Sequence, residues 1–210
     1  MMQVDMDRIY KNMPLEKIPW NSETPPEALL EMVESGRVKP CKAIDLGCGA
    51  GNYAVYLAGR GFEVTGIDNS PTAIRIAREN ANKKGVKAGF LVADVLGDLN
   101  EITDTFDFAF EWELLHHIFP EKRKKYVENV RRILNPGGKY FSVCFNEKDS
   151  QFGGTGKYRK TSLGTVLYFS SEEELRDLFE PYFFIEELKV ITINGKFASH
   201  LVNYVFMKRQ

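Results

Sequence analysis

The sequence predicts an α/β fold in which a seven-stranded, mostly parallel sheet carries helices on both faces and has an antiparallel last strand. Three observations support this prediction. Strand-like and helical segments alternate over residues 41–146, short turns join them, and two strand-like segments follow each other directly near the end of the chain. Strands separated by helices form right-handed crossovers and therefore pair in parallel. The 210 residues, 43% of them hydrophobic, suffice for one such domain, 1–210.

The chain begins with an arm, residues 1–21, and a helix, which together make up residues 1–40. Thr24, the two prolines after it and Glu27 have the pattern of a capping box with a first-turn proline, and the predicted helix ends at Gly36. This helix has an apolar stripe that comprises Leu29, Leu30 and Val33.

Residues 41–146 form the alternating region. The predicted strands are KAIDLG, FEVTGID, AGFLVAD, FDFAFE and GKYFSVCF, and the predicted helices are NYAVYLAG, SPTAIRIARENANKKG and PEKRKKYVENVRRIL. Ser70 and Pro71 are the N-cap and first residue of the second of these helices. Along the third, the apolar face comprises Tyr126, Val130, Ile133 and Leu134, and the turn at Pro136–Gly138 precedes the fifth strand.

The last third of the chain has a different character. Residues 147–169 are polar and glycine-rich, show neither helical nor strand periodicity, and are expected to form a lid. Residues 170–210 then start a helix with a capping box, Ser171 and Glu174, and continue with the strands FFIEELKV and HLVNYVFMK. No helix separates these two strands, so we expect them to pair antiparallel.

The net charge and the distribution of apolar residues indicate which kinds of binding partner to expect. The formal net charge is -1 and the pI is about 6.3, which does not favour nucleic acid or an anionic membrane. No apolar run reaches the roughly 18 residues of a membrane span, so we expect a cytoplasmic protein with a small-molecule partner. The three cysteines are odd in number and lack CxxC spacing, which indicates neither disulfides nor a metal site. The oligomeric state stays open.

The segment AIDLGCGAGNY joins the first predicted strand to a glycine-rich turn. Glycines at positions 47, 49 and 51 allow a sharp turn and a close approach of a ligand to the backbone, and the helix that follows offers free N–H groups. The dinucleotide pattern G-x-G-x-x-G/A also fits Gly49, Gly51 and Ala54, so an NAD-dependent oxidoreductase remains an alternative.

Acidic residues at the ends of successive strands argue for a different ligand. Asp45, beside the first glycine, would repel a pyrophosphate but attract an ammonium group. Asp68 follows the second strand, where a carboxylate can accept both ribose hydroxyls. Asp94 follows the third strand and can accept a hydrogen bond from an adenine amine, while Val95 covers the ring. These residues fit an adenosine that bears an amino-acid tail and no phosphate.

The stretch from Cys41 to Phe145 resembles the Rossmann-like core of class I S-adenosylmethionine-dependent methyltransferases. IDLGCGAG matches their glycine-rich first motif, GIDNS the ribose acid, ADV the adenine contact, and LLHHI through ILNPGGKY the segment that leads into the fifth strand. The resemblance implies that S-adenosyl-L-methionine is the cofactor. The cofactor-binding residues that it implies are Asp45, Gly47, Cys48, Gly49 and Gly51 around the methionine part, Asp68 and Asn69 at the ribose, Asp94 and Val95 at the adenine, and Glu111 at the inner edge.

The segment IPWNSETPPEALLEMVESG resembles the N-terminal arm of the thiopurine-methyltransferase-like and tellurite-resistance-like small-molecule branch. By this similarity Trp20 is a candidate contact to cofactor or substrate. The structural alternative is that Trp20 is a hydrophobic staple for the helix that follows Thr24.

The expected reaction is an in-line methyl transfer to a small-molecule thiol, hydroxyl, amine or metalloid. His116 follows the fourth strand and is the first candidate base, although a histidine in this loop is more often structural. Glu113 is the second candidate. EWEL stands where enzymes that methylate DNA bases carry an Asn/Asp-Pro-Pro-aromatic box, so no nucleic-acid substrate is expected. A non-catalytic S-adenosylmethionine-binding module is a further alternative.

Overall fold

The computed structural model describes residues 5–210, and the strands in this range form one large and one small sheet. The strands are β1 (Lys42–Leu46), β2 (Glu63–Asp68), β3 (Gly89–Val92), β4 (Phe106–Trp112), β5 (Leu134–Phe145), β6 (Tyr158–Lys160), β7 (Val166–Tyr168), β8 (Phe183–Asn194) and β9 (Ser199–Arg209). The large sheet has seven strands in the order β3-β2-β1-β4-β5-β9-β8. Neighbours among β1 to β5 pair in parallel, and β9 is antiparallel to both β5 and β8. The predicted fold class is therefore confirmed.

Helices cover both faces of the large sheet. They are α1 (Met6–Asn12), α2 (Glu27–Glu34), α3 (Asn52–Gly59), α4 (Pro71–Lys84), α5 (Pro120–Ile133) and α6 (Glu172–Phe179), with short 3₁₀ turns at Leu15–Lys17 and Leu115–His117. Buried residues of α2, α3 and α4 join one apolar core, and buried residues of α5 and α6 join a second core on the opposite face. Among residues 5–210, no helix is long and apolar enough to cross a membrane.

Two helix starts follow their predicted capping residues. The Ser70 hydroxyl accepts a hydrogen bond from the Ala73 N–H at 3.0 Å, with Pro71 as the first residue of α4. At α6, Ser171 and Glu174 form a reciprocal capping box, which satisfies two backbone N–H groups that a helix start leaves free.

The start of α2 differs from the prediction. Its N-cap is Pro26, and Thr24 makes no capping box because Pro25, which would be the first helical residue, precedes Pro26 and is therefore disfavoured in the helical conformation. Leu29 and Met32 are the buried residues of α2, whereas Leu30 and Val33 of the predicted stripe are half-buried.

The start of β5 also differs. Leu134 ends α5 and opens β5, where it pairs with Phe106, whereas the prediction placed it on the helix. The pairing then jumps to Lys139 opposite Phe108, so the predicted turn at Pro136–Gly138 is an irregularity inside the strand. Gly137 makes this possible with a φ of +74°.

The insertion, residues 147–169, contains regular structure that the sequence did not predict. β6 and β7 pair antiparallel in a small sheet of their own. The guanidinium of Arg159 donates hydrogen bonds to four backbone carbonyls of the insertion and lies 3.9 Å from the centre of the Phe169 ring. Each strand has only three residues, which is too short for a period-2 pattern to be visible.

Candidate active site

A cavity of about 260 Å³ lies at the carboxyl ends of β1 to β4, where the strand order reverses. Open α/β sheets place ligand sites at this point. Most of the residues predicted to bind the cofactor line this cavity: Trp20, Asp45, Gly47, Cys48, Gly49, Asp68, Asn69, Asp94 and Val95. The topology therefore brings together side chains that are up to 75 positions apart in the sequence.

The carboxylates that line the cavity give its wall a negative charge. Among the described residues that line it, there are five carboxylates and neither lysine nor arginine. The five are Asp5, Asp45, Asp68, Asp94 and Glu113. Such a wall attracts a cationic ligand and opposes a phosphate or pyrophosphate.

The glycine loop wraps tightly around the end of β1. The N–H groups of Gly47 and Cys48 both donate to the carbonyl of Ile67, each at 2.8 Å. Gly47 and Gly49 have φ values of +72° and +52°, and a Cβ atom on Gly49 would lie 2.5 Å from the Tyr10 hydroxyl oxygen. Only glycine combines this conformation with this close approach. The loop thus exposes bare backbone to the cavity.

Asp45 is a buried acid with an unsatisfied oxygen. It is 2% exposed, and its Oδ2 atom has no hydrogen-bond partner among the described residues. Burial, and then the negative charge of Asp68, raise the pKa of Asp45 well above its usual range. A cationic group in the cavity would compensate for both effects.

Asp68 and Asp94 are held by backbone N–H groups. The two oxygens of Asp68 accept hydrogen bonds from Ser70 N–H at 2.8 Å and from Gly49 N–H at 3.0 Å. Burial raises the pKa of Asp68 despite these two bonds. Asp94 is exposed and uses Oδ1 to accept the Leu96 N–H at 2.9 Å. Each carboxylate oxygen keeps acceptor capacity for a ligand.

Two residues of the predicted cofactor set lie outside the cavity wall. Gly51 is the N-cap of α3, with a φ of +74°, and a Cβ there would meet Ala77 and Phe90 at 2.7 and 2.8 Å. Its function in the structure is to allow α3 and α4 to pack closely. Glu111 is fully buried below the wall, where its carboxylate accepts hydrogen bonds from Ser142 Oγ and from the N–H groups of Leu114 and Leu115. Burial raises the pKa of Glu111 to about 7.

The two adjacent histidines have different surroundings. His116 does not line the cavity: it is 3% exposed, its ring stacks on Phe145 at 4.3 Å and 5°, and burial lowers its pKa well below the usual range. His117 lines the cavity instead, with its ring 6.5 Å from Trp20. Successive residues of a 3₁₀ turn point about 120° apart, so only one of the pair reaches the cavity. The structure therefore places the first candidate base in the core.

The arm lies over the glycine loop. Tyr10 and Ile18 are buried against Ala50 and the first turns of α4, in a small apolar cluster that includes Trp20. The Trp20 indole donates a hydrogen bond to the Tyr10 hydroxyl at 2.9 Å, and its ring meets Tyr10 edge-on. Its ring contacts are thus with the arm and His117, not with α2. Of the two interpretations of Trp20, this geometry favours a cavity contact.

Aromatic residues at the other end of the cavity were not predicted. Tyr53, in the first turn of α3, meets Trp112 edge-on with ring centres 6.4 Å apart, and both line the cavity. Glu113, the second candidate base, follows directly and also lines it. The only signal in the sequence for this wall was the position of Trp112 and Glu113 just after a strand.

Comparison with known proteins agrees with the geometry. Residues 43–138 match the family described as a methyltransferase domain. A 2-heptyl-1-hydroxyquinolin-4(1H)-one methyltransferase of Mycobacteroides abscessus is 28% identical over 171 residues, which are 81% of this chain and 70% of that protein. A probable S-adenosyl-L-methionine-dependent methyltransferase, TehB of Haemophilus influenzae, is 25% identical over 74% of this chain but only 51% of its own length.

Solved structures agree as well. A structure from work on the conversion of a disulfide bond into a thioacetal group during echinomycin biosynthesis has a TM-score of 0.82 and 26% identity, and the match covers 98% of this chain and 90% of that one. Neither this likeness nor the domain match supports the oxidoreductase alternative. The resemblance noted in the sequence is confirmed: residues 43–138 match a methyltransferase domain, and the relatives of this chain include S-adenosylmethionine-dependent methyltransferases.

Proposed function

We propose that this chain transfers the methyl group of S-adenosylmethionine to an aromatic small molecule. The observation that carries the proposal is the all-acidic cavity wall, with five carboxylates and no lysine or arginine among its described residues. S-adenosylmethionine has a cationic sulfonium and an ammonium group, whereas NAD has a pyrophosphate that this wall would repel.

The residues present fit the cofactor. The unsatisfied oxygen of Asp45 supports a contact with the ammonium group, and the bare backbone at Gly47 and Gly49 supports close approach of the methionine part. We assign Asp68 and Asn69 to the ribose, and Asp94 and Val95 to the adenine. Cys48 is a neighbouring wall residue whose thiol stays neutral, because burial raises its pKa well above the usual range.

When bound, the cofactor would supply an electrophilic methyl group on its sulfonium and a neutral thioether as the leaving group. The chain contributes by orienting the acceptor and by excluding water. The aromatic residues Trp20, Tyr53 and Trp112 provide flat apolar surfaces for this task. The Mycobacteroides relative is named for a hydroxyquinolinone, a planar heteroaromatic compound, which supports an acceptor of the same shape.

Calorimetry with S-adenosylhomocysteine, the demethylated cofactor, tests the proposal. We expect Asp68→Ala to weaken binding at least tenfold, because the variant removes the ribose acceptor. Asp98→Ala, which removes a carboxylate with an 82% exposed side chain, should leave binding unchanged. NADH should not bind. An absence of binding to the wild-type protein would refute the proposal.

An activity assay distinguishes an enzyme from a protein that only binds the cofactor. The wild-type protein should produce S-adenosylhomocysteine when it is given S-adenosylmethionine and hydroxylated heteroaromatic compounds. Cofactor binding without product from any thiol, hydroxyl, amine or metalloid acceptor would support the non-catalytic alternative instead.

A further inference from the structure

Glu113 has an unusual backbone conformation. Its φ is +67°, and among residues 5–210 only two other non-glycine residues, Leu99 and Phe152, have positive φ. Of the three, Glu113 alone lines the cavity. A side chain in the left-handed region costs about 1 kcal/mol or more. Conformational strain of this kind is concentrated at functional sites.

The surrounding structure imposes this conformation. The Glu113 N–H donates to the carbonyl of Val143 at 2.9 Å, which continues the ladder between β4 and β5. The buried carboxylate of Glu111 accepts the N–H groups of Leu114 at 2.7 Å and Leu115 at 3.2 Å. The chain is thus fixed on both sides of Glu113, whose side chain lines the cavity.

The Glu113 carboxylate lies at the aromatic end of the cavity. It accepts no hydrogen bond from any described residue, so its acceptor capacity is available to a ligand. Its negative charge contributes, after burial, to raising the pKa of Tyr53, the partner of Trp112 in the aromatic wall. A molecule that contacts Tyr53 and Trp112 would therefore also be near this carboxylate.

The groups that face this end of the cavity differ in basicity. Burial, and then the charge of Glu111, raise the pKa of Glu113 to about 7, whereas burial lowers the pKa of His117 to about 4. Glu113 is therefore the stronger base of the two. Tyr53 from α3 stays neutral because burial raises its pKa, and Asp45 from β1 lies at the glycine loop. A pKa near 7 is the best match for a general base at neutral pH.

We propose that Glu113 is the general base of methyl transfer and that the acceptor atom is a hydroxyl oxygen or a ring nitrogen that carries a proton. This inference rests on the proposed function. In the step, the Glu113 carboxylate takes the proton from the acceptor, whose freed electron pair forms the new bond to the methyl carbon. The carbon–sulfur bond breaks, and its electrons remain on the sulfur as the neutral thioether.

A first test needs no acceptor. Calorimetry at pH 7, in buffers with different ionisation enthalpies, measures the protons released on binding. S-adenosylmethionine carries a sulfonium that S-adenosylhomocysteine lacks, so the difference between the two ligands reports groups near the reacting carbon. A carboxyl with a pKa of about 7 that becomes ionised beside a cation releases up to about half a proton at pH 7. We expect this difference in the wild-type protein and in Glu121→Gln, and a clearly smaller difference in Glu113→Gln.

The second test is activity with 2-heptyl-1-hydroxyquinolin-4(1H)-one and with an aromatic thiol. Glu113→Gln should lower kcat with the hydroxyl acceptor at least 100-fold and remove the acidic limb of its pH profile, and Glu113→Asp should restore part of the rate. A thiol that is already ionised at the assay pH needs no base, so its methylation should change less than threefold. The exposed control Glu121→Gln should behave as wild type.

Several results would overturn the inference. One is proton release that is unchanged in Glu113→Gln. Another is a rate that depends on Glu113 equally for thiol and hydroxyl acceptors, and a third is a wild-type protein that methylates thiols alone. A loss of S-adenosylhomocysteine affinity of tenfold or more in Glu113→Gln would assign the carboxylate to the cofactor instead. If the wild-type protein binds neither ligand, the proposed function itself fails, which is a distinguishable result.

Discussion

Replacing Glu113 with glutamine should make the protein more stable relative to wild type as the pH rises from 4.5 to 7.5. In the unfolded chain this carboxyl loses its proton near its ordinary pKa of 4.5, whereas burial raises the pKa in the folded protein to about 7. Between these values the folded state binds a proton that the unfolded state has lost. The contribution of Glu113 to the stability of the wild-type protein is therefore greatest below pH 4.5 and is lost as the pH rises through 7. Glutamine does not titrate, so the Glu113→Gln variant lacks this decline in stability.

The magnitude follows from the difference between the two pKa values. An increase from 4.5 to about 7 corresponds to about 3 kcal/mol of unfolding free energy once the pH exceeds 7. Glu113 is half-buried, so partial contact with water makes this an upper figure. Glu111 contributes a second decline over the same pH range, which the two proteins share except for the part that comes from its repulsion by Glu113.

Urea unfolding at half-unit pH steps measures the difference in unfolding free energy between Glu113→Gln and the wild-type protein.

Glu174→Gln is the matched control, because the pKa of Glu174 is shifted in the opposite direction. Burial raises the pKa of Glu174, but the hydrogen bonds from Lys157 and Tyr168 outweigh burial and hold it at about 2. The stability that Glu174 provides is present above pH 4.5 and is lost as the pH falls towards 2. If Glu113→Gln differs from wild type by a constant amount from pH 4.5 to 7.5, the reasoning about its buried carboxyl is wrong.

Two further predictions concern the loop and the insertion. Gly49→Ala, whose Cβ would lie 2.5 Å from the Tyr10 hydroxyl, should lose about 1–2 kcal/mol of stability and bind S-adenosylhomocysteine at least tenfold more weakly, as measured by unfolding and calorimetry. Gly85→Ala has a similar φ of +66° with no atom within 4 Å, so it should lose stability alone, and an equal loss of binding would contradict this. Arg159→Ala removes hydrogen bonds to four carbonyls and should speed limited proteolysis of the insertion about tenfold, whereas surface Arg60→Ala should not.

The fold could be predicted because local signals and long-range packing agree. The Ser70 and Ser171 caps follow from side-chain oxygens that bond to backbone N–H groups within a few residues, so the sequence contains the whole interaction. The start of α2 was predicted wrongly because the constraint of the second proline outweighs the capping pattern at Thr24. The strands β6 and β7 depend on Arg159, whose contacts extend across the insertion.

The cavity was predictable in part for a similar reason. Strand ends are visible in the sequence, and the topology places them at one edge of the sheet, so Asp45, Asp68 and Asp94 were found together. The choice between His116 and His117 depends on the rotation of one short turn, which has no signal in the sequence. Tyr10 was not predicted because its contact with the glycine loop joins segments far apart along the chain.

The acidic wall also couples cofactor binding to the ionisation of Glu113. Without a cation in the cavity, burial raises the pKa of both Asp45 and Glu113, and Glu113, with a pKa of about 7, is protonated for part of the time at neutral pH. A cation favours the ionised form of every carboxylate around it, and by linkage the loss of these protons strengthens the binding of the cation. If Glu113 is the base, its ionised form is therefore most populated when the methyl donor is present. The affinity for S-adenosylmethionine should accordingly increase from pH 6 to pH 8 more than the affinity for S-adenosylhomocysteine, and Glu113→Gln should reduce that excess.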